Sequence, residues 1–248
     1  MKPISVKLAL IREKEEFRAC IGLMNGSLKE CQLHLDRLHP NEQLVYRNYH
    51  YNQRKTSYLL GRLSAKQAIL PLINISSPKS IWIDRGVFQF PIVKCPNNSN
   101  IQVSISHCDR IGFSIAYPEA HPMGIDVEKI NADNRTTVLS QLTQKEQLLL
   151  TQKNNNSIAT YTTLFSIKEA LSKVIRTGMM LDFKFLEIDS IKIVQQTMEC
   201  TFTHFGQYKA VAYFKNDYVF SIVLPKRTKT QLKLAWQMLE DVREVVEK

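Results

Sequence analysis

An α+β fold built as two lobes is the class this sequence predicts. Helical and then strand-like stretches follow one another twice along the 248 residues, once in each half. The strands of the second half look antiparallel, joined by polar turns. Length agrees, since a chain of this size suits one large domain or two of about 120 residues, each able to bury a core. The apolar share, 44%, is that of a globular protein. No repeat is visible residue by residue, yet the pattern permits two similar lobes meeting near residue 120. The expected lobes are 1–121 and 122–248, with the functional site close to their junction.

Taken in order, residues 4–11 read as a strand running into charge. A helical period covers 41–73, broken into two helices. The second is strongly basic, with Tyr58, Leu59, Arg62, Lys66 and Ile69 at three-and-four spacing, and Pro71 stops it. A solvated basic face is the ordinary explanation of that charge; a phosphate-facing surface is the sharper one. Short strands follow at 80–83 and at 87–93, interrupted by Pro91, then a turn-rich loop at 96–100. Residues 101–106 alternate, with Ile101, Val103 and Ile105 inward and Gln102, Ser104 and Ser106 outward. Residues 111–117 return as their hairpin partner.

A turn at 118–122 leads into a strand over 123–129. A polar loop at 131–136 precedes a helix over 138–150, which the asparagine-rich stretch 154–157 breaks. The next helix, 158–176, ends at Thr177-Gly178, the glycine supplying the left-handed residue past the helix end. Strands over 186–194, 197–205, 208–214 and 218–224 complete the second half, and 230–247 form an amphipathic helix.

The chemistry concentrates in the 123–129 strand and the 158–176 helix. Side chains two apart on a strand share a face, so Asp126 and Glu128 project together while Ile125 and Val127 point to a core. Parallel carboxylates repel unless a cation or proton lies between them. On the helix, Leu164, Ile167, Leu171 and Val174 form one apolar stripe, with Phe165, Glu169, Lys173 and Arg176 opposite. If that second face meets the strand, Glu169 becomes a third carboxylate with Lys173 one turn along. Carboxylates beside cations suit a divalent metal gripping a phosphate ester.

Singly, these features are ordinary. Asp126 and Glu128 would sit on a solvated strand edge, Glu169 and Lys173 would be a surface pair worth a few tenths of a kcal/mol, and His107 a half-buried hydrogen-bonder. Their joint occurrence in a basic chain favours the metal site. The formal net charge is +10, which expects a polyanionic partner: nucleic acid, a phosphorylated cofactor or an acidic protein. Five cysteines without C-x-x-C spacing argue against a disulfide framework or a zinc site. A Cys108 nucleophile paired with His107 is disfavoured because adjacent strand residues face opposite ways. No run approaches the roughly 18 apolar residues of a membrane span, and the start carries no signal-peptide pattern. A cytoplasmic chain with no membrane partner is expected.

Two rival functions share parts of this pattern. A metal-dependent nuclease also joins a basic surface to strand carboxylates, but its lysine usually falls two residues after an acid; Lys129 directly follows Glu128 and points away. A non-catalytic nucleic-acid-binding module would leave carboxylates facing a polyanion.

Three blocks resemble the signatures of 4′-phosphopantetheinyl transferases: Val103-Ser104-Ile105-Ser106-His107, Met123-Gly124-Ile125-Asp126-Val127-Glu128 and Phe165-Ser166-Ile167-Lys168-Glu169-Ala170-Leu171-Ser172-Lys173. The upstream Arg54…Gly61-Arg62…Ala65-Lys66 block fits the same family, and the resemblance is to its large, surfactin-synthetase type. It implies a pseudo-dimer of two similar lobes in one chain, each with helices packed on a mainly antiparallel sheet, and hence a monomer. It implies transfer of the phosphopantetheine arm of coenzyme A to a serine of an apo acyl or peptidyl carrier protein, releasing adenosine 3′,5′-bisphosphate. By the resemblance, Asp126, Glu128 and Glu169 hold Mg²⁺, while Arg54, Arg62, Ser106 and His107 contact coenzyme A phosphates. Gly86 and Pro91 fall in the adenine-contacting segment, and Lys173 assists the pyrophosphate leaving group. Phe165 stands where the family has a tryptophan, and no lysine adjoins Pro91. The serine's proton needs an acceptor, and Glu169 is the preferred base, directly or through water, with Glu146 a weaker candidate. A carrier with negative charge near its serine would complement the basic surface. The large form leans toward secondary metabolism, and nucleic acid is not an expected partner.

Overall fold

The computed structural model describes residues 4–96, 100–152 and 157–240. The middle of the loop expected at 96–100, most of the break at 154–157 and the far end of the C-terminal helix lie outside these residues.

The first strand is β1 (Ile4–Arg12). It pairs with β2 (Glu15–Asn25), which the sequence reading overlooked. Residues 19–25 of β2 are buried without a gap, so the two-residue alternation that marks a half-covered strand is missing. Three helices follow, α1 (Leu28–Gln32), α2 (Pro40–Arg47) and α3 (Asn52–Ile69). The ribbon β3 (Trp82–Arg85) and β4 (Pro91–Lys94) then leads to β5 (Ile101–Cys108) and β6 (Ile111–Pro118). The main sheet runs β1-β2-β6-β5, antiparallel throughout, with α3 packed across it. Ile101, Val103 and Ile105 face the α3 core as expected. Ser104 and Ser106 do not face solvent; both are buried.

The next strand is β7 (Gly124–Lys129). The helix expected over 138–150 is two, α4 (Arg135–Ser140) and α5 (Gln144–Gln152), because Thr143 accepts the Glu146 amide and starts a new helix. Then come α6 (Ile158–Val174), β8 (Ile188–Val194), β9 (Thr197–Phe202), β10 (Tyr208–Lys215) and β11 (Tyr218–Pro225). The sheet order is β7-β11-β10-β9-β8, again antiparallel, with α6 across it. The left-handed residue that ends α6 is Arg176 (φ 58°), not Gly178, and the Thr177 amide reaches back to the Ser172 carbonyl. The last helix is α7 (Lys233–Glu240).

Contacts divide the chain into two units, residues up to Pro122 with those from Lys229 on, and Met123–Thr228. The C-terminal helix, expected in the second lobe, goes with the first. Ile11 and Lys229 exchange both backbone hydrogen bonds, which ties that segment to β1.

The two units share a plan, and the structure exposes a repeat that the sequence reading did not see. Ser64 on α3 bonds Ser114 on β6 at 2.6 Å, and Ser166 on α6 bonds Ser221 on β11 at 2.9 Å. Two residues past each helix serine stands a fully buried lysine, Lys66 or Lys168. Each is paired with a fully buried glutamate in the first turn of the preceding helix, Glu42 at 2.8 Å and Glu146 at 2.7 Å. The other carboxylate oxygen takes the amide of Ile83 in one unit and Ile188 in the other. Leu63-Ser64-Ala65-Lys66-Gln67-Ala68 thus matches Phe165-Ser166-Ile167-Lys168-Glu169-Ala170, and Gly112-Phe113-Ser114-Ile115 matches Val219-Phe220-Ser221-Ile222.

Glycines let the helices settle on the sheets. A Cβ on Gly22 would lie 2.2 Å from the Ser64 carbonyl oxygen, and one on Gly124 would lie 2.1 Å from that of Ala170. Backbone oxygens cannot step aside as a side-chain tip can. Gly22→Ala and Gly124→Ala should therefore each lower the melting temperature, with a cost of at least the about 1–3 kcal/mol of an overpacked core. Gly206→Ala, which meets open space, should melt like the wild type in the same calorimetric series.

Candidate active site

Gly124, Asp126 and Glu128 alternate with Ile125 and Val127 on β7. The near-contact between Gly124 and the α6 backbone fixes which face meets the helix. Asp126 therefore turns toward α6 and is 2% exposed, while Ile125 and Val127 are buried on the other side. A carboxylate so buried needs a counter-charge. Lys173 provides it, its Nζ donating to Asp126 Oδ1 at 2.7 Å and to the Ile125 carbonyl at 3.0 Å. Glu169, one turn before Lys173, is half-buried on α6. Burial pushes its carboxyl above the usual carboxylate range and the Asp126 charge adds to the effect, while Lys173 opposes it. Glu128 follows on the same face of β7, half-buried.

The expected meeting of the Glu169–Lys173 face with the β7 carboxylates is what the geometry contains for Asp126, Glu169 and Lys173. Among the described residues, no group of three or more His, Cys, Asp or Glu side chains is gathered closely enough to hold a metal. The donors suit a hard cation nonetheless. Asp126 and Glu169 offer only oxygens and sense one another's charge, and Glu128 lies two residues along from Asp126.

Glu146, the weaker candidate base, is fully occupied. Its carboxylate takes Lys168 Nζ at 2.7 Å, the Thr143 amide at 2.7 Å and the Ile188 amide at 2.8 Å. It braces the helix that carries Glu169 and cannot reach a substrate from a fully buried position. Phe165 packs on Phe183 with ring centroids 5.6 Å apart, well within an aromatic core contact.

The phosphate-contacting candidates fall within the first unit. Arg54, Arg62, Pro91 and His107 line one cavity of about 350 Å³. Arg54, Tyr58 and Arg62 follow at four-residue steps on α3, so they present one stripe. Gly61 belongs to that stripe, and a Cβ there would sit 3.2 Å from Ile105, so its absence brings α3 close to β5 beside His107. Ser106 is not among the lining residues; it alternates with Ile105 and His107 on β5 and is buried. Gly86 does not line the cavity either. A Cβ on it would meet the Phe90 ring at 2.6 Å, so the glycine serves the turn that leads to Pro91.

The sequence reading missed Arg85. It lies directly before that turn, donates to the Tyr49 hydroxyl at 2.8 Å and lines the cavity, supplying a cation where none adjoins Pro91. Its neighbour Asp84 is held by Lys94 at 2.6 Å. An arginine that closes a strand before a Gly-containing turn was the available signal. Lys66, read as part of a basic face, is instead buried inside the unit.

Residues 122–223 match the family model of the 4′-phosphopantetheinyl transferase superfamily. The matched stretch holds Asp126, Glu128, Glu169 and Lys173, whereas Arg54, Arg62, Arg85 and His107 precede it. A 4′-phosphopantetheinyl transferase of Aneurinibacillus migulanus is 27% identical over 132 residues, which are 53% of each chain. The alignment thus spans about half the length of that curated relative. Two solved structures are similar at low identity. One is a holo-(acyl-carrier-protein) synthase of Bacillus anthracis in complex with CoA (3′,5′-ADP), 18% identical with a TM-score of 0.35 over 44% of this chain and 96% of that one. The other is a holo-[acyl-carrier-protein] synthase of Thermotoga maritima, 14% identical with a TM-score of 0.32 over 42% and 67%.

A raised carboxyl pKa means that the folded state favours the protonated form. Its contribution to stability is full below the ordinary value of 4.5 and is lost as the pH rises through the elevated one. With metal chelated, Glu169→Gln should melt above the wild type at neutral pH. The gap should close as the pH falls below 4.5, as calorimetry over a pH series would reveal.

Proposed function

We propose that this chain is a 4′-phosphopantetheinyl transferase, moving the arm of coenzyme A to the serine hydroxyl of an apo acyl or peptidyl carrier protein. The observation that carries the reading is the buried Asp126 held by Lys173 beside Glu169, inside the matched stretch. In the balanced reaction, the serine oxygen bonds to the pyrophosphate phosphorus nearer the pantetheine. The bond from that phosphorus to the bridging oxygen breaks, and adenosine 3′,5′-bisphosphate leaves.

Such transfers depend chiefly on positioning and on stabilising charge at the phosphoryl oxygens. Asp126 and Glu169, with Glu128 beside them, are the residues that would hold Mg²⁺. When bound, the cation would neutralise charge on the pyrophosphate. Glu169 is the base that accepts the serine proton, directly or through a water. Lys173 spends two of its three N–H donors on Asp126 and the Ile125 carbonyl, so one remains for a phosphate oxygen at the leaving group. In the first unit, Arg54, Arg62, Arg85 and His107 take the coenzyme's phosphates. The carrier is proposed to present acidic residues around its serine, and the chain to act as a monomer.

Glu169→Gln and Asp126→Ala should each reduce transfer to an apo carrier by at least a hundredfold while circular dichroism remains that of the wild type. Near-normal transfer by both, with Mg²⁺ supplied, would sink the assignment. Lys173→Ala should lower turnover more than it weakens coenzyme A binding; a collapse of binding alone would remove its leaving-group role.

A further inference from the structure

We propose that Glu42 is a positioning residue for the arginines of the first unit's cavity, an inference that rests on that cavity taking coenzyme A. Glu42 stands at the start of α2, 1% exposed. Its Oε2 accepts from the His39 amide at 3.0 Å and pairs with Lys66 Nζ at 2.8 Å. Lys66 also donates to the carbonyls of Pro78, at 2.9 Å, and Ile81. One carboxylate thereby joins α2, α3 and the approach to β3.

The other oxygen is directed at the cavity's walls. Glu42 Oε1 accepts from the Ile83 amide at 3.0 Å, which anchors β3 two residues before Arg85. The same oxygen lies 3.9 Å from Arg62 Nε. Arg62 has little else to fix it. Its guanidinium lies over the Tyr58 ring at 4.9 Å, and its Nε has no hydrogen-bond partner among the described residues. Tyr58 refers back to the same residue, since its hydroxyl donates to the Glu42 carbonyl at 3.1 Å. Tyr49, which takes Arg85, leans on Tyr58 with centroids 5.3 Å apart. The contacts that aim Arg62 and Arg85 thus converge on Glu42. The second unit repeats the device, with Glu146, Lys168 and the Ile188 amide bracing the helix turn that bears Glu169. In both units, a buried acid and lysine stand directly behind a side chain that the chemistry needs.

One measurement separates positioning from electrostatics. Removing the Glu42 and Lys66 charges together leaves the net charge beside the cavity unchanged, so charge alone predicts unchanged polyanion binding. Loosening Arg62 should weaken it. Glu42→Gln alone would leave Lys66 buried without its counter-ion, so the test uses Glu42→Gln with Lys66→Met, which removes both charges and keeps an oxygen for the Ile83 amide. Calorimetric titration of the full chain with coenzyme A should give about a tenfold weaker Kd for the double variant at a melting temperature near that of the wild type. In an Arg62→Ala background, the same pair of changes should add less than twofold, because the effect acts through Arg62. Unchanged or tighter binding by the double variant, or an undiminished loss without Arg62, would overturn the positioning role alone. A wild-type chain that takes up no coenzyme A would overturn the functional reading and this inference together.

Discussion

The second unit depends on a lysine that crosses from helix to strand. Asp126 can be almost wholly buried on β7 only because Lys173 Nζ meets it at 2.7 Å. An isolated carboxylate there would cost several kcal/mol or take up a proton. The same bond joins the end of α6 to the edge strand β7, so one contact of the fold also fixes the charges of the site. Gly124 is its geometric condition, since any side chain would lift α6 from β7.

The duplicated plan explains why one unit carries the acids. Strand register sets Gly22 opposite Ser114 and Asp126 opposite Ser221, and those serines bond equivalent helix serines. Gly22 therefore holds the place of Asp126. By the same register Met24 answers to Glu128, and along the helices Gln67 answers to Glu169 and Pro71 to Lys173. None of the four can hold a cation or bind a phosphate by charge. The first unit instead lets its helix settle on Gly22 and Gly112 and places arginines along the cavity-lining stripe of α3. What both copies keep is the buried acid and lysine, a scaffold beneath two different chemistries.

Much of this was legible in the residues. The antiparallel strands of the second half were legible as strand-forming runs set between polar turns. The meeting of Asp126 with Lys173 was legible because strand and helix periods put them on facing surfaces. β2 escaped because it loses alternation where both its faces are covered and begins in the charged run Glu13–Glu16 directly after β1. Lys66 read as part of a basic face because no local pattern marks a lysine whose partner lies more than twenty residues away, and the burial of Lys168 was illegible for the same reason. Arg85 escaped for a related reason, as its place in the cavity depends on the long-range pairing of Ile83 with Glu42.

The central claim is that the oxygen donors around Asp126 support metal-dependent transfer from coenzyme A to a carrier serine. It is tested most directly by weighing the acceptor. A panel of apo carrier proteins would be incubated with the wild-type chain and coenzyme A, with Mg²⁺ or with a chelator, and read by intact-protein mass spectrometry. The account predicts that at least one carrier gains the mass of a single phosphopantetheine arm with Mg²⁺ and none with the chelator. A panel left unmodified, or one modified equally in both conditions, would contradict it.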